Sequence, residues 1–299
     1  MITEKEQLPH KNNMKFYSPL RYPGGKNKLA KFVALVCEKN NISGHYIEPY
    51  AGGSSVALHL LINGYVKEIT INDFDRSIYA FWHSILNETN TFCKMIRDAE
   101  ITIKNWNSQK VIQQNKVTAS LIELGFSTFF LNRTNRSGII NGGVIGGVEQ
   151  NGNYKIDCRF NKEELIERIR FIAIHKKNIH LHNLDAVELI DIIKKQTRSK
   201  NVIYYFDPPY FLKGQSLYMN SYEPNDHKKV SEKIKAIKNA RWIVSYDNVP
   251  QIQSLYKDIN VQKKNYTFIH TAYQPREGKE VLFFSKGLII PAVAHPTRI

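Results

Sequence analysis

Cysteine is scarce in this sequence and is not arranged for metal binding or redox chemistry. The 299 residues include three cysteines, Cys37, Cys93 and Cys158, and none forms a Cys-x-x-Cys pair. Three widely separated cysteines in a long chain argue against a disulfide framework, since disulfide-rich domains are short and use even numbers. The zinc-hydrolase pattern His-Glu-x-x-His and the zinc-deaminase pattern are also absent. We therefore expect reduced thiols, a cytoplasmic protein and no metal.

Long apolar runs are missing as well. No segment approaches the roughly 20 apolar residues that a membrane-spanning helix needs. The first residues are polar and lack the apolar centre of a secretion signal. No internal repeat is visible either. These absences argue against a membrane protein, an exported protein and a repeat protein.

Positive charge, by contrast, is in excess. The chain has 42 lysine and arginine residues against 27 aspartate and glutamate residues, a net charge of +15. Hydrophobic residues make up 42% of the chain, which is typical of a globular protein. The charge indicates a polyanionic partner, most often nucleic acid and sometimes a membrane surface. No basic amphipathic helix with an unpaired apolar face is evident, so nucleic acid is the better interpretation.

Strand and helix patterns alternate in the first quarter and in the last third of the chain, which is typical of an α/β fold with a parallel sheet. Residues 78–131 are mostly helical in pattern, and residues 131–147 read as an exposed loop or hairpin rich in Gly, Asn and Arg. The predicted strands are 45–48, 66–71, 179–182, 202–206, 242–246, 261–266 and 281–284. Besides the helical pattern of 78–131, helices are predicted at 28–38, 56–62, 161–175, 186–195, 226–238 and 251–256. We predict a discontinuous α/β domain at 14–77 and 176–299, interrupted by a mostly helical insert at 78–175.

Two short segments follow the first two predicted strands. Residues 48–54 read EPYAGGS, and their glycines would let a ligand approach the backbone at the carboxyl edge of a sheet. Residues 72–75 read NDFD, and an acid at the tip of a second strand is placed to accept hydrogen bonds from a ribose. A plain turn for the first segment and a helix cap for the second remain open as alternatives.

The most specific segment follows the apolar strand 202–206. It reads Asp207-Pro208-Pro209-Tyr210. Two consecutive prolines end the strand and fix the backbone in an extended form, so the Pro208 carbonyl has a set direction beside a carboxylate and an aromatic ring. A rigid turn would explain the prolines alone, whereas the whole combination favours a functional site.

These segments, in this order, resemble the Dam-type (D12 class) S-adenosylmethionine-dependent DNA adenine-N6 methyltransferases. That family begins with a segment like RYPGGK at 21–26, continues with loops like EPYAGG and ND, and contains a stretch like LNRT at 131–134 before the Asp-Pro-Pro-Tyr motif. The segments YDN at 246–248 and KEVL at 279–282 resemble its late motifs. The resemblance spans nearly the whole chain and implies a Rossmann-like methyltransferase sheet with helices on both faces.

The resemblance also implies roles for individual residues. Asp207, Pro208, Pro209 and Tyr210 would be catalytic: the Asp207 carboxylate and the Pro208 carbonyl would orient the adenine amine, and Tyr210 would stack on the flipped-out base. S-adenosylmethionine would be the cofactor, with Lys26 suited to its carboxylate and Asp73 to its ribose. The residues expected to bind it are Tyr22, Lys26, Glu48, Tyr50, Gly52, Gly53, Asp73, Asp185 and Asp207.

Double-stranded DNA is the implied partner, and the helical insert is the implied target-recognition domain. Asn132, Arg133, Asn135 and Arg136 are the expected DNA contacts, because Arg pairs with guanine, Asn pairs with adenine and both grip phosphate. Arg133 could instead only brace the hairpin. A separate restriction endonuclease could accompany the enzyme. The alternatives are an RNA methyltransferase and a non-catalytic DNA-binding module on a decayed enzyme fold.

Overall fold

A computed structural model of the chain describes residues 16–21, 24–196, 201–212, 222–238, 240–258, 260–270 and 276–298. The chain divides into two compact units, and the division falls within one helix, between Tyr79 and Ala80. The first, here called the helical unit, contains the described residues up to Arg21 and Ala80–Lys177. The second, here called the sheet unit, contains the described parts of Tyr22–Tyr79 and Asn178–Ile299.

The sheet unit is built on seven strands in the order β3-β2-β1-β4-β5-β7-β6. The first five in this order are parallel, whereas β7 is antiparallel to both of its neighbours. The strands are β1 His45–Glu48, β2 Glu68–Asn72, β3 Ile179–His182, β4 Val202–Phe206, β5 Arg241–Asp247, β6 Val261–His270 and β7 Arg276–Ser285. The predicted α/β fold is confirmed, and β1, β3 and β4 have the predicted bounds.

Helices cover both faces of this sheet. Alternate residues of a strand point to opposite faces, so Tyr204 and Phe206 of β4 join one apolar cluster. Leu189 and Val230 of the later helices complete that cluster. On the other face, Phe32 of the first helix packs edge-on against Phe284, with ring centroids 6.3 Å apart. Because both faces are covered, β4 is buried along its entire length.

Known capping residues mark the start of a helix in the sheet unit. Pro224 is the first residue of its helix, and Glu223 and Asp226 cap that helix reciprocally. The described helices are α1 Ala30–Lys39, α2 Ser55–Ile62, α3 Arg76–Asn87, α8 Ala186–Gln196, α9 Pro224–Lys235 and α10 Pro250–Leu255. Only the first turn of α3, up to Tyr79, belongs to the sheet unit, and the rest of α3 belongs to the helical unit. Within the described residues, no helix is both long enough and apolar enough to cross a membrane.

The helical unit is held together by aromatic side chains. Phe81, Phe92 and Phe129 pack against one another with ring centroids 5.7–6.1 Å apart. Its further helices are α4 Thr89–Asp98, α5 Ile103–Gln114, α6 Leu121–Thr134 and α7 Lys162–Ile174. A Ser120–Glu123 capping box starts α6. The sequence placed residues 14–21 with the sheet, but the described residues up to Arg21 are grouped with the helical unit.

The segment predicted as a loop from residue 131 differs in its first part. Residues 131–134 are the last turn of α6, and a short 3₁₀ turn, Arg136–Gly138, follows. Gly138 has φ +76°, and a Cβ there would lie 1.9 Å from the Arg21 carbonyl oxygen. Only glycine allows this close approach at such a φ. Composition alone gave no sign that the helix continues into this segment.

Candidate active site

The candidate site lies where β1 and β4 are neighbours in the sheet. These two strands are parallel, and β1 leads on to β2 on one side of the sheet while β4 leads on to β5 on the other. Open α/β sheets bind ligands in the crevice at such a switch point, outside the carboxyl ends of the strands. A pocket of about 760 Å³ occurs here, and both predicted loops, 48–54 and 72–75, contribute to its wall together with Asp207.

The loop after β1 turns sharply under the pocket. Gly52 has φ +45°, and Ser54, which is not a glycine, also has a positive φ of 45°. Left-handed backbone at a non-glycine residue is uncommon and concentrates at functional sites. Tyr50, Gly52 and Gly53, which are predicted cofactor-binding residues, all line the pocket.

Asp73 fastens this loop to the end of β2. Its Oδ2 atom accepts the backbone N–H of Gly52 at 2.9 Å, and its Oδ1 atom accepts the N–H of Asp75 at 3.0 Å. Burial raises the pKa of Asp73 to about 7, against the opposing effect of the Gly52 hydrogen bond. The carboxyl group therefore titrates near neutral pH and lies on the pocket wall.

Asn72 joins three loops behind Asp73. Its side-chain amide donates to the Pro49 carbonyl at 2.9 Å and to the Leu184 carbonyl at 3.0 Å. Its side-chain oxygen accepts the Leu184 N–H at 2.9 Å. One buried amide thus fixes the ends of β1 and β3 relative to β2, and it sets the shape of this side of the pocket.

Glu48 is a buried acid with an unsatisfied atom. The residue is 4% exposed, and its Oε2 atom has no hydrogen-bond partner among the residues that the structure describes. Burial, and then the nearby Asp207 charge, raises the pKa of Glu48 well above its usual range. A buried carboxyl oxygen without a partner at a pocket wall suits a ligand that brings a cation or a hydrogen-bond donor.

Asp185 lies at the start of α8 and on the pocket wall. Its Oδ1 atom accepts the Val187 N–H at 2.8 Å, so it also caps the helix. The sequence offered both roles, a cofactor contact and a helix cap. The structure contains the cap and places the residue where the contact could form.

Asp207 is held from two sides. Its Oδ2 atom lies 2.9 Å from the Lys26 ammonium, and its Oδ1 atom accepts the Ser245 hydroxyl at 2.6 Å. Burial raises the pKa of Asp207, and Lys26 opposes that rise. Because both oxygens already have donors, the carboxylate has a fixed orientation at the end of β4.

The two residues that follow the Asp-Pro-Pro-Tyr segment are fixed by β5. Asp247, at the end of β5, accepts the backbone N–H groups of Phe211 and Leu212, each at 3.0 Å. Pro209 lines the pocket together with Asp207. Tyr210 is 3% exposed, and its hydroxyl contacts the Lys26 ammonium at 2.8 Å. In this arrangement the Tyr210 ring is buried, whereas the stacking role predicted from the sequence needs a face open to a base.

Lys26 was expected to contact a cofactor carboxylate, and it lines the pocket. Its ammonium, however, donates to the Gly24 carbonyl at 2.9 Å as well as to Asp207 and Tyr210. Three acceptors of the protein therefore already surround it. Tyr22, the other predicted contact at this end of the chain, lies outside the described residues.

Sequence reasoning missed several residues of the site. Phe74 lines the pocket with 62% of its surface exposed, so its ring is open to a ligand. Tyr222 lies across the pocket, with its hydroxyl oxygen 2.8 Å from that of Tyr50. Ser245 had a usable signal, since it is a polar residue within an apolar strand, whereas Tyr222 had none.

The four predicted DNA contacts fall into two groups. Asn132 and Asn135 are 1% and 0% exposed, and both are used inside the helical unit. Asn132 bridges the backbone of Arg21 and Gly138, while Asn135 accepts the Trp106 indole N–H at 2.6 Å. These amides are buried and hydrogen-bonded, so their placement differs from the predicted contact with bases.

Arg133 is half-buried and braces the unit. It donates to the backbone carbonyls of Arg159 at 2.7 Å and Pro19 at 3.4 Å. Burial, and then the neighbouring guanidinium groups of Arg21 and Arg168, lowers the pKa of Arg133 to about 9. Arg136 is exposed, so of the four it is the residue whose side chain is available to a partner.

Comparison with known proteins identifies the family. The family model described as D12 class N6 adenine-specific DNA methyltransferase matches residues 22–268. The chain belongs to this family. The predicted resemblance is thus confirmed, and with it the activity of the family, methylation of the N6 amine of adenine in DNA. No sequence match was found among curated proteins.

Two solved structures are similar to this D12 methyltransferase at low identity. One is a candidate RNA methyltransferase from Pyrococcus horikoshii, with 10% identity, a TM-score of 0.40, and coverage of 89% of this chain and 87% of the other. The second is the rRNA methyltransferase aviRa from Streptomyces viridochromogenes. It has 9% identity, a TM-score of 0.38, and coverage of 88% and 86% respectively.

Proposed function

We propose that the pocket at the β1–β4 switch point binds S-adenosylmethionine and that Asp207 orients a flipped-out adenine of duplex DNA beside it. The observation that carries this proposal is the convergence of Glu48, Asp73 and Asp207 on one pocket. When bound, the cofactor supplies a methyl group activated by its sulfonium sulfur. The remaining chemistry falls to side chains and carbonyl groups of the protein.

The donors and acceptors around the pocket fit such a cofactor. The Asp73 carboxylate would accept hydrogen bonds from the ribose hydroxyl groups, and the exposed Phe74 ring would stack on the adenine ring. The unsatisfied Oε2 atom of Glu48 suits the α-ammonium group of the methionine part. Tyr50, Gly52 and Gly53 would line the cofactor, and Asp185 would contact its base.

Asp207 and the Pro208 carbonyl would act on the target amine. The exocyclic amine of adenine is a weak nucleophile because its lone pair is delocalised into the ring. Two acceptors that hold its N–H groups turn the lone pair toward the methyl group and stabilise the developing positive charge. The amine becomes acidic once it is methylated, so Asp207 is also placed to accept the released proton.

Adenine cannot reach this geometry inside a duplex, so the base must leave the helix. The helical unit would grip the DNA, and the net charge of +15 would neutralise its phosphates. We propose a cytoplasmic enzyme that acts either as the partner of a restriction endonuclease or alone. Mapping modified adenines in a methylation-free host that expresses the protein would give the recognition sequence.

The Asp207→Ala variant tests the proposal. Methyl transfer from radiolabelled S-adenosylmethionine to duplex DNA should fall by about a thousand-fold or more, because the variant loses an acceptor needed in the transition state. Cofactor affinity measured by calorimetry should change by only about three-fold. Near wild-type methylation by this variant would remove Asp207 from the reaction. Methylation of structured RNA in preference to duplex DNA would contradict the proposed substrate.

A further inference from the structure

A chain of hydrogen bonds runs from Asp207 into the interior of the sheet unit. The Lys26 ammonium donates to Asp207 Oδ2 at 2.9 Å and to the Tyr210 hydroxyl oxygen at 2.8 Å. The Tyr210 hydroxyl in turn donates to Glu280 Oε1. Glu280 is thus linked to Asp207 through two side chains, those of Tyr210 and Lys26.

Glu280 is fixed by its own surroundings. It lies on β7, directly opposite Tyr266 of β6 in the antiparallel ladder, and its Oε2 atom accepts the Tyr266 hydroxyl. Glu280 is 1% exposed and Tyr266 is 5% exposed. A buried carboxylate whose two oxygens each accept a hydroxyl group is anchored both by hydrogen bonds and by the sheet.

The direction of these hydrogen bonds determines the role of Glu280. Because Glu280 accepts the hydrogen of Tyr210, the lone pairs of the Tyr210 oxygen remain available to the Lys26 ammonium. The ammonium also lies 5.0 Å from the centroid of the Tyr210 ring. Lys26 is itself 5% exposed, so its place beside Asp207 is determined by acceptors of the protein rather than by solvent.

We propose that Glu280 is a positioning residue for methyl transfer, acting through the Tyr210 hydroxyl and Lys26 to hold the Asp207 carboxylate in its reactive orientation. The inference rests on the function proposed above for Asp207. It also gives Tyr210 a role for its hydroxyl group, distinct from the stacking of its ring. Removing the acceptor at Glu280 would let Tyr210 and Lys26 reorient, and Asp207 would then lose one of its two fixed donors.

The alternative is that Glu280 only joins β6 to β7. A structural brace would affect folding stability and cofactor binding, and its loss would add independently to a change at Tyr210. A positioning residue would affect the rate of the chemical step at unchanged cofactor affinity. Its effect would also overlap with that of Tyr210, since both act through one chain.

The experiment compares single-turnover methylation by Glu280→Gln, Tyr210→Phe and the double variant, with cofactor affinity measured in parallel. Each single variant should lose about ten- to one hundred-fold in rate, while the cofactor dissociation constant stays within about three-fold. The methylation rate of the double variant should lie within about two-fold of the rate of the slower single variant. Tyr256→Phe is the matched control, because within the described part of the chain the buried Tyr256 hydroxyl has no hydrogen-bond partner.

A wild-type rate in Glu280→Gln, or losses that multiply in the double variant, would overturn the inference. Loss of cofactor binding together with rate would also overturn it, in favour of the brace. Asp207→Ala is measured beside these variants. If Asp207→Ala is inactive and Glu280→Gln is fully active, the positioning role fails while the proposed function stands. If Asp207→Ala is active, the proposed function fails first.

Discussion

The backbone N–H of Gly52 donates to the Asp73 carboxylate across 2.9 Å, and it joins the turn after β1 to the end of β2. The bond stabilises the ionised form of Asp73, whereas burial favours the neutral form and prevails. The pocket proposed to bind the cofactor thus contains a carboxyl group that is close to its titration midpoint at neutral pH. Two measurable consequences follow, one for binding and one for stability.

Cofactor affinity should rise with pH through about 7, the pKa of Asp73. Ribose hydroxyl groups donate to the ionised carboxylate, so the protonated protein must first lose a proton to bind. The dissociation constant of S-adenosylmethionine should be about ten-fold lower at pH 8 than at pH 6. Calorimetry at the two pH values measures this, and Asp73→Asn should bind more weakly without the pH dependence. A variant with the wild-type pH profile would assign the effect to another group.

Stability of the ligand-free protein should change in the opposite direction. A carboxyl group whose folded-state pKa is raised binds its proton more tightly when folded, so its contribution is present below about pH 4 and is lost as pH rises through about 7. Asp73→Asn should therefore gain stability relative to the wild type at pH 8 more than at pH 5. Urea unfolding at both pH values checks this, and an equal difference at the two would contradict it.

Phe74 should contribute to cofactor affinity through stacking. Its ring is 62% exposed at the pocket wall, so its removal leaves no cavity in the core. Phe74→Ala should raise the cofactor dissociation constant by about ten-fold, with little change in unfolding temperature. Phe74→Leu keeps apolar contact without the ring and should lie between the two. Equal affinities for wild type and Phe74→Ala would show that the ring lies outside the binding site.

Gly138→Ala should destabilise the helical unit. The added Cβ would lie 1.9 Å from the Arg21 carbonyl oxygen at a φ of +76°, which the backbone can relieve only by moving. We expect the free energy of unfolding to fall by about 3 kcal/mol, which calorimetry would detect as a lower unfolding temperature. Gly143→Ala in the same segment is the control, because nothing lies within 4 Å of its Cβ position. Similar unfolding temperatures for the two variants would contradict the close approach.

Arg136 and Arg133 should differ in their effect on DNA binding. Arg136 is exposed, so Arg136→Ala should weaken binding to duplex DNA. If Arg136 contacts a phosphate, the slope of log affinity against log salt concentration should decrease in magnitude by about one. Arg133 braces the backbone of Arg159 and Pro19, so Arg133→Ala should lower the unfolding temperature. Fluorescence anisotropy over a range of salt concentrations measures the first effect. An unchanged salt dependence and affinity in Arg136→Ala would remove it from the interface.

The sheet was largely predictable because its strands carry a simple pattern. The run Val202–Phe206 is apolar throughout and is buried on both faces, and its bounds follow directly from Asp207-Pro208-Pro209, where the prolines end the strand. The segment 131–147 was harder. Its many Gly and Asn residues favour a loop, but α6 continues to Thr134, since its last turn carries the buried Asn132 in the interior of the unit.

The sequence indicated which motif residues belong to the site better than it indicated what each of them contacts. The residue types of Asp73 and Asp207 fix their chemistry, and their positions at strand ends bring them to one edge of the sheet. Lys26 could not be assigned in the same way, because a lysine next to a glycine-rich turn gives no indication of its acceptors. Its contacts with Asp207 and Tyr210 cross more than 180 residues of sequence and depend on the fold.

The position of β7 has a consequence for the order in which the protein is made. β7 is the last strand in the sequence, yet it lies between β5 and β6. During synthesis the outer edge of β5 therefore stays unpaired until residues up to Ser285 have emerged, and such an edge is prone to wrong pairing. Glu280 arrives with the same strand. A nascent chain with Asp207 already in place would thus still lack the anchor of its hydrogen-bond chain, and the full rate of methylation would need the completed sheet.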